Sequence, residues 1–502
     1  MSSLLATLAR QVHRWDAQRG RPGYRLGGVA VGLVAAAVVL ALPGAEGLSV
    51  AGQRTAAVAV LMAIWWLGGV LPMAVTALVP LVAFPLLDVM SIKAAAAPYA
   101  HHLNFLMLGG FVIGHATEEV GLHHRLTALL LRPARVRVSP RRVVLAMMVS
   151  AAIISGLVSN TATMVMMLPL ATALAATTAD GPRTESTFVL CLAYACSIGG
   201  VTTLVGTPPN AVLAGLAADA GREISFAAWM ALGVPFAVLS VPLAWWVVTR
   251  LALPLPDRFE TPLHAPELPP WQPGERSVLA VVAGALLLWL TRRPLAVGPL
   301  DLPGWGSAVP GQVSDAWVAI LAAIVLFALP RPGPARADDP SEGRFLISWR
   351  RAEKSIPWSV LILLGGGFSL AAAISSSGLT AWLAGGTAAL ADLPLAVSVP
   401  ALCLAMSFLT ELTSNTATTQ IALPLLAAGA AAAGVDPLLW MVPAAMSASC
   451  AFMMPVATAP NAIASEAGGV APGDMAYAGL ALNFACAGVA AVLSLVLTPI
   501  LF

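Results

Sequence analysis

The tripeptide Ser-Asn-Thr occurs twice in strongly apolar surroundings. It appears as Ser159-Asn160-Thr161 in GLVSNTATMVMMLP (156–169) and as Ser414-Asn415-Thr416 in LTSNTATTQIALP (412–424). Such a cluster can serve both an anion and a cation. A helix beginning at the cluster offers unpaired main-chain N–H groups and the positive end of its dipole to an anionic group. The Asn amide and Thr hydroxyl add neutral donors, and the carbonyl and hydroxyl oxygens are hard ligands for an alkali cation. A second polar motif follows each cluster: VGTPPNAV at 205–212 and VATAPNAI at 456–463. Gly206 lets the chain unwind, and Pro208 and Pro209, lacking N–H groups, interrupt the helical ladder. Ala457, Thr458 and Pro460 repeat the pattern. No Lys or Arg lies in these motifs, so an anion there would be met by dipoles, hydroxyls and co-bound cations. Two near-symmetric donor clusters suit a ligand with two separated carboxylates.

The elements that must position these residues lie in a membrane. The chain has 502 residues, 59% hydrophobic and 10% charged, against roughly 25% charged in soluble domains. It reads as an all-α polytopic membrane protein. A net charge of +2 gives no reason to expect a nucleic-acid partner. Cys191, Cys196, Cys403, Cys450 and Cys486 sit in apolar runs without metal-ligand spacing and read as small buried residues. Apolar stretches near the roughly 20 residues needed to span fall at 26–43, 52–70, 71–89, 103–131, 187–217, 227–254, 277–291, 314–330, 358–384, 438–468 and 475–501. These are about 11 transmembrane helices. The leader (1–25), with Arg10, Arg14, Arg19, Arg21 and Arg25, could lie on the membrane surface as an amphipathic helix. Placing it inside with the loops carrying Arg132, Arg135, Arg137, Arg141, Arg142 and Arg331, Arg336, Arg344, Arg350, Arg351, Lys354 satisfies the positive-inside rule. Arg292 and Arg293 then fall outside, against the rule.

Three motifs recur in the same order. Gly109 in LGGFVIGHATEEVGL matches Gly366 in GGGFSLAAAISSSGL, 257 residues on. The Ser-Asn-Thr clusters are 255 apart, and Asn210 and Asn461 are 251 apart. With the charge-based topology, 103–131 and 358–384 run in opposite senses, which makes the duplication an inverted repeat. Segments 143–177 and 396–431 must each enter and leave on one side, as re-entrant hairpins with the Ser-Asn-Thr cluster at the tip. Non-helical backbone at that depth is tolerated only when buried in protein or lining a wet cavity. A purely structural reading, in which the clusters cap broken helices, accounts for one copy better than for two at repeat-related positions. Inverted repeats with interrupted helices point to secondary transport, with the substrate near the bilayer midplane. A channel fits re-entrant hairpins less well. The sequence holds no GxSxG or HExxH and no facing Asp pair, which argues against a membrane enzyme.

Other polar residues invite weaker readings. Glu411, beside the second cluster, is a candidate proton-coupling acid by virtue of its depth. Its first-repeat counterpart is Gly156, and a structural partner within the hairpin is the favoured reading. Glu118 and Glu119 near His123 and His124 suggest an interfacial salt-bridged cluster, and His101, His102 and His115 a scaffold role. Trp65-Trp66 and Trp245-Trp246 are expected in the interfacial belt.

SNTAT followed by GTPPN, then SNTAT followed by ATAPN, resembles the divalent anion/sodium symporter family of di- and tricarboxylate carriers, from about residue 50 to the end. ASCAFMMPVATAPNAIA (448–464) is similar to that family's C-terminal signature, with Ala464 where Val is usual and Ala459 where Pro is frequent. The resemblance implies a homodimer in the inner membrane whose transport domain moves elevator-fashion against a static scaffold. It implies one sodium site at Ser155, Ser159, Asn160 and the carbonyl of Gly206. A second would use Thr410, the carbonyl of Thr413, Asn415 and the carbonyl of Ala457. Substrate carboxylates would meet Asn160, Thr161, Thr207 and Pro208 on one side and Asn415, Thr416 and Thr458 on the other. The implied division is a leader (1–25), scaffold (26–131 and 277–384), linker (255–276) and transport domain (132–254 and 385–502). The expected function is sodium symport of a C4-dicarboxylate such as succinate, fumarate or malate, with no cofactor beyond the coupling ions. Hydroxyls retained at Ser155 and Thr410 favour sodium over sodium-independent exchange. Sulfate fits two separated clusters less well, and citrate remains an alternative cargo.

Overall fold

Prolines and glycines decide where the apolar runs break. The computed structural model describes residues 21–43, 47–131, 139–176, 181–255, 270–297, 300–311, 313–332, 343–386 and 393–502. Most of the basic leader, Arg132, Arg135, Arg137 and Arg336, and most of the 255–276 linker lie outside the described residues. The helices are α1 (Pro22–Ala41), α2 (Val50–Gly68), α3 (Met73–Thr76), α4 (Val79–Leu86), α5 (Ile92–Ala96), α6 (His102–Glu119) and α7 (Leu122–Leu131). There follow α8 (Pro140–Ser155), α9 (Asn160–Ala175), α10 (Gly181–Gly200), α11 (Pro208–Asp219), α12 (Phe226–Trp246), α13 (Glu275–Thr291) and α14 (Asp315–Ala328). The rest are α15 (Trp349–Ser355), α16 (Trp358–Ser376), α17 (Leu379–Gly386), α18 (Leu395–Thr410), α19 (Asn415–Ala432), α20 (Leu438–Ala448), α21 (Ala459–Glu466) and α22 (Pro472–Leu501). Five helices among the described residues are long and apolar enough to cross a membrane: α1, α2, α12 with its π-helical extension to Ala252, α16 and α22.

Several sequence expectations are corrected. The run 71–89 is not one helix: Pro72 precedes α3, and Pro80, at the second position of α4, stands at the break between α3 and α4. The runs 103–131 and 358–384 each break in two, at Gly121 (φ 72°) and Gly378 (φ 78°), where the chain adopts the left-handed conformation that glycine favours. These two glycines are themselves 257 residues apart. The fold is helical as expected, with one short ribbon in which β1 (Leu295–Val297) and β2 (Leu300–Leu302) pair antiparallel between α13 and α14. Leu295, Val297, Leu300 and Leu302 alternate with other residues there, a period that suits a pleated ribbon. Trp66 does not sit in an interfacial belt: it is buried, and its indole N–H donates to the Met73 carbonyl at 3.1 Å. Trp65 is also buried, whereas Trp246 is exposed. The five cysteines are free and buried, as expected.

The seven helices α6–α12 are followed, in the same order, by their counterparts α16–α22. The two interrupted helices, α10–α11 and α20–α21, lie side by side and run in opposite directions. Ser186 Oγ, near the start of the first, donates to the carbonyl of Gly469, just past the end of the second, at 3.3 Å. Midway, Tyr194 Oη donates to the Phe452 carbonyl at 2.7 Å. Arg222, just past the end of the first, pairs with Asp436 before the start of the second at 3.1 Å. The matched glycines Gly109 and Gly366 serve close packing in both halves: a Cβ on Gly109 would lie 2.6 Å from Ala319, and one on Gly366 2.3 Å from the Ala77 carbonyl.

Candidate functional site

Each Ser-Asn-Thr cluster is a helix start. Ser159 caps α9, its hydroxyl accepting from the Ala162 N–H at 3.2 Å, and Ser414 occupies the same position before α19. Thr207 and Thr458 are the extended residues immediately before α11 and α21, and Thr458 Oγ1 accepts from the Asn461 N–H at 3.2 Å. All four helix starts face one cavity of about 460 Å³. Asn160, Thr161, Thr207, Pro208, Asn415, Thr416 and Thr458, the seven residues expected to meet substrate, all line it. The first-turn N–H groups of a helix have no partner within the helix, and each N-terminus carries roughly half a positive charge. Pro208, Pro209 and Pro460 carry no N–H, so the free donors lie mainly at α9 and α19, which together supply roughly one positive charge without a cationic side chain. No Lys or Arg lines the cavity among the described residues; its titratable lining residues are His115 and Glu118.

Of the expected sodium ligands, Ser159, Asn160, Gly206, Asn415 and Ala457 line the cavity. Ser155 and Thr410 stand one layer behind in matching geometry. Ser155 Oγ lies 2.7 Å from Asn160 Oδ1 and 2.8 Å from the Cys196 carbonyl. Thr410 Oγ1 lies 2.6 Å from Asn415 Oδ1 and 3.1 Å from the Ala448 carbonyl. Each hydroxyl has one proton for two acceptors, so each triad is an oxygen-rich nest suited to a hard cation. The Thr413 hydroxyl, as distinct from the carbonyl expected to serve sodium, lies on the Leu409 carbonyl at 2.9 Å.

The backbone between the half-helices is held by residues that the sequence marked only as repeats. Asn210 Nδ2 donates to the Thr203 carbonyl at 2.7 Å and lies 3.2 Å from that of Gly200. Asn461 Nδ2 donates to the carbonyls of Ala451 and Met454 at 3.0 and 3.2 Å. These two asparagines close the unwound segments, and the 251-residue offset was the signal that pointed to them. Gly200 was missed: a Cβ there would sit 2.4 Å from Asn160 Oδ1. Gly200→Ala is therefore expected to displace the Asn160 amide and lower transport at least about tenfold. Uptake measured beside the chromatographic profile of the purified variant checks this, the fold being unchanged.

Glu411 is held by partners outside its hairpin, not within it as expected. Its carboxylate accepts from the N–H groups of Phe452, Met453 and Met454 at 2.7, 2.9 and 2.9 Å, and from Asn483 Nδ2 at 2.7 Å. Glu119 pairs with Arg351 at 2.6 Å and with His115 at 3.1 Å, while His123 and His124 stack on each other. His101 meets Asp219 at 3.3 Å and packs on Phe368. It borders a second, larger cavity of about 900 Å³, which none of the tip residues lines. The equivalent helices α6 and α16 reach the two cavities in opposite order. Glu118, late in α6, and Pro357, just before α16, border the smaller; His101 and Ser376 border the larger.

The family profile described as "Citrate transporter" matches residues 58–445. The sodium-dependent dicarboxylate transporter SdcS of Staphylococcus saprophyticus is 35% identical over 478 residues, covering 91% of this chain and 88% of that protein. SdcS of Staphylococcus aureus (strain bovine RF122 / ET3-1) is 35% identical over 449 residues, covering 86% and 83%. Among solved structures, the Alcanivorax borkumensis YdaH transporter matches with a TM-score of 0.54 at 18% identity, covering 80% of this chain and 87% of that one. At that identity the likeness is one of fold.

Proposed function

The chain belongs to the citrate transporter family, among the divalent anion/sodium symporters that its repeated motifs resemble, and from that premise we propose that it imports a C4-dicarboxylate by sodium symport. It is a transporter, not an enzyme. The observation that carries the reading is the convergence of four helix starts, two of them with free N–H groups, on one cavity that no Lys or Arg lines among the described residues. A dianion with separated carboxylates can place one on the Asn160–Thr161 and Thr207–Pro208 side and the other on the Asn415–Thr416 and Thr458 side. The two oxygen triads at Ser155–Asn160 and Thr410–Asn415 then hold the sodium ions. Because Asn160 and Asn415 belong to both sets, cation binding fixes the amides that the carboxylates meet. That shared residue is the coupling: each ion orders the donors for the other.

The antiparallel pairing of the interrupted helices supports an inverted repeat. In this reading α8–α12 and α18–α22 make up the transport domain, and α6 and α16 belong to the scaffold. Gly110 and Gly114 on α6 support this surface as the sliding face, because a Cβ on either would meet Val205 or the Leu157–Val158 tip. With the N-terminus and Arg-rich loops in the cytoplasm, the 460 Å³ cavity beside Ser355 faces the cell interior. Elevator-type movement within a homodimer in the lipid of the inner membrane would expose the same residues outside.

The test is uptake of labelled succinate into proteoliposomes, driven by an inward sodium gradient or an equal potassium gradient. Accumulation that requires sodium is expected. Uptake indifferent to sodium but dependent on internal succinate would replace symport by exchange. Sodium-driven uptake of citrate or sulfate with none of succinate would change the cargo.

A further inference from the structure

The two halves brace their unwound segments by different means. In the first, Thr203 Oγ1 donates to the Gly156 carbonyl and accepts from the Gly206 N–H at 3.1 Å. A neutral hydroxyl thus joins the hairpin to the residue whose carbonyl the first sodium site needs. In the second half, the positions equivalent to Gly156 and Thr203 are Glu411 and Met454, at the same offsets of 255 and 251. The methionine has no hydroxyl, and the brace comes from the other partner. Glu411 Oε2 accepts from the Met454 N–H, and the Met454 carbonyl accepts from the Ala457 N–H at 3.2 Å. Glu411 therefore reaches, through the single residue Met454, the residue whose carbonyl the second site needs.

The exchange replaces a neutral group by a charged one. Three main-chain N–H groups and the Asn483 amide converge on the two oxygens of Glu411, which is 3% exposed. Four donors suit a carboxylate, since a protonated acid would turn a donor against donors. Glu411 follows Thr410 directly in sequence, and its carboxylate and the second triad's hydroxyl meet neighbouring stretches of one segment, at Phe452–Met454 and at Ala448. The first triad has Gly156 at that position.

We propose that Glu411 is a positioning residue that makes the two sodium sites unequal: its carboxylate and its hold on the Met454–Ala457 segment give the Thr410–Asn415 site the higher affinity, so that this site loads first. The inference rests on the sodium-symport reading. Attraction across a poorly solvated distance of several ångströms is large enough to matter, and neutralising Glu411 is expected to weaken the second site about tenfold or more.

The test is a sodium titration of the purified full-length protein without dicarboxylate, followed by intrinsic tryptophan fluorescence, with choline holding ionic strength constant. Two phases are expected. Thr410→Ala should remove the tighter and Ser155→Ala the weaker. Glu411→Gln should move the tighter phase about tenfold or more towards the weaker and leave the weaker in place. A merely structural Glu411 would disturb both phases alike. A single phase in the unaltered protein, an unchanged tight phase in Glu411→Gln, or loss of the tight phase in Ser155→Ala would each overturn the inference. If Glu411→Gln does not fold, the Ser155→Ala and Thr410→Ala titrations still decide which site is tighter. Absence of any sodium-specific response, together with sodium-independent uptake, would instead overturn the symport reading.

Discussion

Asn160→Ala and Asn415→Ala are each expected to lower sodium-driven uptake about a hundredfold, the upper range for disturbing an ion site's polar shell. Each side chain does two jobs. Its Oδ1 faces the hydroxyl of Ser155 or Thr410 at 2.7 or 2.6 Å, and its residue opens a helix whose first turn borders the cavity. Alanine removes the proposed cation ligand and the amide donor together, whereas Ser159 and Ser414 still precede the helices. The hairpins should therefore persist, and the purified variants should melt close to the unaltered protein. The symmetry of the triads makes the prediction stricter, since loss in one variant alone would leave the other asparagine outside the site. Uptake within a factor of about three of normal in both variants would remove the paired asparagines from the mechanism. Thermal melting and uptake on the same preparation separate the two outcomes.

The hairpins and interrupted helices were legible because their signals were doubled. A single Ser-Asn-Thr could be a cap on a broken helix, but two at a fixed offset, each followed by a Pro-Asn motif, define the same local structure twice. The site was legible for the same reason, since helix starts are written in caps and prolines. What the sequence hid depended on contacts between distant residues. Gly200 is one glycine among 43, and its importance lies in the space that Asn160 occupies. The exchange of Gly156 and Thr203 for Glu411 and Met454 becomes visible only when the hydrogen bonds of both halves are laid side by side. Trp65-Trp66 misled because two adjacent tryptophans near a helix end suggest a membrane interface. Burial against α3 and α4 depends on how the prolines fold the chain back. Gly121 and Gly378 were within reach, since each stands at the same place in a matched motif.

Arg292 and Arg293, which sit awkwardly with the positive-inside rule, belong to an ion-pair network, and the second large effect is expected there. Arg292→Met should cost about 3–5 kcal/mol, the range for breaking a buried pair from one side. The Arg292 guanidinium donates to Asp315 Oδ1 at 2.6 Å, to the Val313 carbonyl at 3.0 Å and to Glu223 Oε1 at 2.7 Å. Asp315, 5% exposed, also accepts from the Phe226 N–H at 2.7 Å, and Trp289 Nε1 donates to its carbonyl at 2.9 Å. One side chain thus ties together the end of α13, the start of α14 and the turn between α11 and α12. Without it Asp315 keeps its charge in a buried place with only main-chain donors. Arg293→Gln is the control: Arg293 and Glu223 are both well exposed, and loss of that contact should cost at most about 1 kcal/mol. Arg292→Met combined with Asp315→Asn should recover part of the loss, because the amide oxygen can still accept from Phe226 without stranding a charge. Burial raises the pKa of Glu223, but Arg292 and Arg293 outweigh it and hold the carboxyl below its ordinary value of 4.5. A depressed carboxylate pKa contributes stability above the unfolded value and loses it as pH falls through the folded one. The unaltered protein should therefore lose this increment only in acid, below about pH 4.5, whereas Arg292→Met should show a smaller acid-dependent loss of melting temperature.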